Sequence, residues 1–105
     1  MTEDIEKIKD IIIKTVPTER IYLFGSHAYG TPNKDSDYDI YVVISDSNIR
    51  PIEAIGNIYL AMRGIKRKPV DILAGTTEIF ERRSKQITLE QTIARDGIVL
   101  YEYGK

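Results

Sequence analysis

Apolar residues near the start of the chain fall at Ile5, Ile8 and Ile12, with Ile11 alongside, and charged residues fill the gaps. That is the spacing of one helical face, and it predicts a helix over 2–16 that Thr2 or Glu3 opens and Pro17 stops. "RIYLFG" (20–25) is a short apolar segment ending in glycine and predicts a strand. "SHAYG" (26–30) fits one helical turn or a tight loop, and "TPNKDS" (31–36) has the composition of a loop. "DYDIYVVIS" (37–45), rich in Tyr, Ile and Val, carries the strongest strand signal. Over 48–64, Pro51 suits a first helical turn, and Ile52, Ile55, Ile58 or Tyr59, and Met62 recur at helical spacing. Gly64 stands just past the end of that helix. A third strand, Val70 to Ala74, follows a basic turn. Segments 76–85 and 88–97 read as short helices, each opened by Thr with a Glu nearby, and Gly97 ends the second. "IVLYEY" closes the chain as a strand or extended tail. Helices and strands in this order predict an α/β or α+β domain with a mixed sheet of about four strands flanked by helices, the isoleucine faces forming its core.

Composition narrows the picture. The 105 residues are enough for one domain, 1–105, and show no repeat or linker. Fifteen basic and sixteen acidic residues nearly cancel, which argues against tight nonspecific binding to nucleic acid. With no cysteine there is no disulfide frame and no thiolate zinc site, and one histidine, His27, makes no multi-histidine metal centre. No apolar run has membrane-spanning length, and the charged start is unlike a secretory signal, so the expected location is the cytoplasm.

The chemistry concentrates in "FGSHAYGTPNKDSDYDIYVV". Side chains two apart on a strand share a face, so Asp37 and Asp39 project together at the entrance to an apolar run. Paired carboxylates repel, and partial burial raises the cost; sharing a proton or holding a cation relieves it. Asp71 in "PVDIL" is a third acid inside an apolar strand. If the two strands are neighbours the three converge, a hard-oxygen set suited to Mg²⁺ or Mn²⁺ and, with a pair of ions, to phosphoryl or nucleotidyl transfer. Gly25 lets the backbone approach a ligand closely, and a helical turn from Ser26 would offer amides and a hydroxyl to a phosphate. Asp35 shares the alternation but falls in the loop and reads as a turn acid. His27 reads as a partly exposed helix residue, and the basic "RGIKRK" as a solvated turn.

"GSHAYGTPNKDSDYDI" resembles the signature of the DNA polymerase beta-type nucleotidyltransferase superfamily: Gly-Ser, a short helix to a second Gly, then Ser-Asp-x-Asp on the next strand, with a later carboxylate. The resemblance implies the nucleotidyltransferase fold. It implies phosphate binding at Gly25, Ser26 and Gly30, and two metal ions held by Asp37, Asp39 and Asp71. It implies ATP as donor, with Asp71 as the candidate general base. The length is similar to that of minimal nucleotidyltransferases paired with helical HEPN-type proteins, whose antitoxin attaches AMP to its toxin partner. Members commonly carry Arg where this chain has His27 and Tyr29, removing positive charge near the triphosphate. Two other readings stand beside transfer to a partner protein. One is an antitoxin that neutralises its partner by binding alone. The other is a small-molecule adenylyltransferase, which would need a further domain or a homo-oligomer to enclose its acceptor.

Overall fold

The computed structural model describes residues 3–30, 37–65 and 67–104. The loop expected over 31–36 with its Asp35, the capping role of Thr2, and Lys66 of the basic turn lie outside the described residues. The chain runs α1 (Glu3–Thr15), β1 (Thr18–Phe24), α2 (Ser26–Tyr29), β2 (Tyr38–Ile44), α3 (Pro51–Ala61), β3 (Val70–Thr76), α4 (Thr77–Ser84), α5 (Leu89–Asp96) and β4 (Ile98–Glu102). The four strands form one sheet in the order β3-β2-β1-β4. β2 and β3 are parallel, as a helical crossover such as α3 requires, and β1 runs antiparallel to both β2 and β4.

One face of the sheet is aliphatic. Ile5, Ile8 and Ile12 of α1 and Ala54, Ile58 and Met62 at the end of α3 pack on Ile21, Leu23, Ile40, Val42, Ile44 and Ile72. Each fully buried isoleucine contributes about 1.5–3 kcal/mol over an exposed one. Ile52 departs from expectation: it is exposed, because the buried stripe of α3 follows Ala54, Ile58 and Met62 and leaves Ile52 roughly opposite. The other face carries Tyr22, Phe24, Tyr41 and Val43, covered by Phe80 of α4 and Ile93 of α5. Phe80 stacks on Tyr22 at 5.4 Å and tilts against Tyr41 at 5.2 Å.

β3 runs two residues beyond the expected Ala74, since Gly75 and Thr76 continue the register to Val43 and Ile44. Thr76 then caps α4 through its hydroxyl, and Thr88 caps α5. At Gly75 an added Cβ would overlap the Tyr41 hydroxyl. That hydroxyl donates to Glu90 at 3.1 Å, and Arg83 reaches the same carboxylate at 3.0 Å. Tyr59 of α3 reaches the outer edge of β3, where its hydroxyl donates to the Val70 carbonyl and accepts from the Ile72 amide.

Candidate functional site

β1 ends at Phe24 and the chain turns at Gly25 with φ 73°, a conformation that strongly favours glycine. α2 is a single turn. Ala28 and Tyr29 return their amides to the Gly25 carbonyl, and Gly30, at φ 82°, closes it by bonding the Ser26 carbonyl. Ser26 therefore opens the helix, and Gly30 serves as its left-handed end.

The carboxylates follow from strand parity. Asp39 pairs with Phe24 on one side and with Asp71 on the other. Asp39 and Asp71 lie on the face of Tyr22, Tyr41 and Val43, at the end of the cluster that Phe80 and Ile93 cover. Neighbouring strands are about 4.8 Å apart, so the in-register aspartates of β2 and β3 start from adjacent backbone positions. The Asp39 carboxylate rests against Gly25: an added Cβ there would overlap its Oδ2. Glycine is thus required twice over, by its dihedral angle and by the acid pressed on it.

Burial, then the charges of Asp71 and Asp37, push the Asp39 carboxyl above its ordinary value, and His27 opposes them. The structure brings His27 closer to the site than the sequence indicated. It is half-buried, with its ring 4.5 Å from that of Tyr38. Asp37 sits exposed just ahead of β2, which begins at Tyr38 rather than at Asp37; the Tyr38 amide bonds the Pro69 carbonyl. Asp71 is exposed on the edge strand. Among the described residues no three acids or histidines already converge as a metal cage. The donor set still fits a hard divalent cation: oxygen ligands only, on one face, with the central carboxylate destabilised by its neighbours in a way a cation would relieve.

A cleft of about 740 Å³ lies at the opposite ends of the strands, lined by Ser45, Thr76, Thr77, Arg82 and Lys85 among others. It begins some five residues, roughly 16 Å, along β2 and β3 from the aspartates, and takes no part in this site. Sequence reasoning missed the apolar neighbour Leu73, two residues beyond Asp71 on the same face and 39% exposed. No local signal marks it, since leucine in a strand reads as core. No helix among the described residues is long and apolar enough to cross a membrane.

The fold recurs in a Sulfolobus solfataricus protein described as a nucleotidyltransferase: 21% identity, TM-score 0.63, covering 95% of this chain and 78% of that one. A toxin–antitoxin solved with AMP-PNP is 25% identical with TM-score 0.55, covering 96% of this chain and 75% of that one. A mutant of the MntA–HpeT toxin–antitoxin is also 25% identical, with TM-score 0.56, covering 99% and 75%. Comparison with curated proteins gave no match. The sequence profile described as polymerase beta, nucleotidyltransferase matches residues 6–105, spanning the glycine turn, all three aspartates and every strand. The chain belongs to the polymerase beta nucleotidyltransferase family.

Proposed function

We propose that the protein transfers a nucleoside monophosphate, AMP from ATP, to a hydroxyl of a partner protein, and that the partner is the HEPN-type toxin of a toxin–antitoxin pair. The observation that carries the reading is Asp39 pressed against the glycine turn with Asp71 in register beside it. Two carboxylates beside a glycine turn support reading the turn as a phosphate seat next to a metal site. The likeness to a toxin–antitoxin solved with AMP-PNP supports both the donor and the partner.

In this reading Gly25 admits the triphosphate close to the backbone, and Ser26 gives it a hydroxyl and the first amide of α2. Gly30 ends the turn that shapes the seat. Asp37, Asp39 and Asp71 would hold Mg²⁺ or Mn²⁺, which when bound offsets charge on the phosphates. Asp71 takes the proton of the acceptor hydroxyl. The acceptor oxygen bonds to the α-phosphorus, the bond from that phosphorus to its bridging oxygen breaks, and pyrophosphate leaves. A donor seat open along one sheet face leaves the acceptor to be supplied, and water excluded, by the partner.

The test is incubation with labelled ATP, Mg²⁺ and the helical protein that co-purifies from the native host, followed by intact-mass measurement. The expected result is AMP on the partner, reduced about 10²- to 10³-fold or more in a folded Asp39→Asn protein. A partner that binds tightly and is never modified would leave the binding antitoxin as the reading to keep.

A further inference from the structure

β3 alternates in a way its neighbour does not. Tyr41 of β2 is 2% exposed, yet its in-register partner Leu73 is 39% exposed in mid-strand. The cause is the placement of the covering helices. Phe80 of α4 packs on Tyr22 and Tyr41, and Ile93 of α5 joins the same cluster over β1 and β2. The first half of β3 stays bare on this face, where Asp71 and Leu73 stand two residues, about 6–7 Å, apart.

The side on which this ledge lies decides what it meets. α2 packs against β1 and β2, so the donor phosphates belong to that side of Asp39. A nucleophile attacks the α-phosphorus opposite the leaving pyrophosphate, which brings the acceptor in over β3. We infer that Leu73 is a positioning residue for the acceptor: the carbons next to the reacting hydroxyl lie on its side chain while the hydroxyl reaches Asp71. This rests on the nucleotidyl-transfer reading above. A single apolar side chain with acid on one flank suits a protein side chain carrying a hydroxyl better than a purine, which is ordinarily held on both faces.

Steady-state kinetics of Leu73→Asn and Leu73→Met, with the co-purifying partner as acceptor and ATP varied separately, test it; Leu73→Thr is the second polar variant should Leu73→Asn fold poorly. The polar variant is expected to raise KM for the partner about tenfold, the worth of one apolar contact. The KM for ATP should stay within about twofold, and Leu73→Met should restore the partner KM. A change confined to the ATP constant would give the ledge to the nucleobase and overturn the inference, as would unchanged constants in a folded polar variant. If the wild-type protein modifies no partner, the transfer reading falls and takes this with it. If the wild type is active and Leu73 is indifferent, this inference alone falls.

Discussion

The two faces of the sheet are built from different material. Under α1 and α3 the buried contacts are aliphatic apart from Tyr38, and the cover reaches from Val70 to Ile44. Under α4 and α5 they are aromatic, tied at the rim by the Tyr41–Glu90–Arg83 bridge, and the cover stops before Asp39 and Asp71. The first face holds the larger buried cluster, with no charged residue in it. The second uses a small aromatic cluster to fix the strands, so that its far end can hold carboxylates in place without being buried by a helix. Two acids on that second face show the division. Glu90 is pushed up by burial, but its backbone hydrogen bond, Arg83 and Tyr41 outweigh this and hold it below its ordinary value. Asp39 has acids for neighbours and is held above its own.

The comparison breaks most severely on the aliphatic face. Ile58→Ala removes a fully buried side chain and is expected to cost about 2–5 kcal/mol in chemical denaturation, with the nucleotide affinity of the remaining folded fraction unchanged. On the aromatic face the sharper probe is Gly75→Ala, whose methyl group meets the Tyr41 hydroxyl and should cost about 1–3 kcal/mol. Adding Tyr41→Phe removes the obstacle, so the double variant should recover part of that loss; simple additivity of the two penalties would show that the contact is not the cause.

The smallest effect separates the two acids by sign. The folded-state pKa of Asp39 is raised, so its ionised form burdens the fold at neutral pH, and the burden disappears as pH falls below the ordinary value of 3.8. Asp39→Asn should therefore raise the melting temperature by a few degrees at most at pH 7, with the gain gone in acid. Glu90 is the reverse: its folded-state pKa is lowered, so its support is complete above the ordinary value of 4.5 and is lost as pH falls through the folded value. Glu90→Gln should lower the melting temperature at pH 7, the deficit fading in acid. Melting curves across pH for both variants check the pair, and shifts of equal sign would refute the contrast.

What could be read from sequence was what is local. Ile5, Ile8 and Ile12 announce a helical face because period alone decides which side of α1 is apolar. Asp37, Asp39 and Asp71 announce themselves because a carboxylate entering an apolar strand has a cost that needs a reason. The failures are non-local. Ile52 has helical spacing to Ile55, yet the stripe that meets the sheet is set by where α3 docks. His27 approaches Asp39 only because Tyr38 gives its ring a surface to lie on. Leu73 is uncovered because Phe80 of α4 packs on Tyr22 and Tyr41 and leaves the first half of β3 bare, which no property of β3 encodes.

The phenol of Tyr59 has a consequence for how this sheet can grow. An unpaired outer strand invites addition of another, and a sheet with two such sides can propagate into a fibre. The hydroxyl of Tyr59 holds the Val70 carbonyl and the Ile72 amide, so an incoming strand would have to expel it to pair with the first rung of β3. Strand addition is then harder at the start of β3 than along β4, which biases growth toward pairs over fibres.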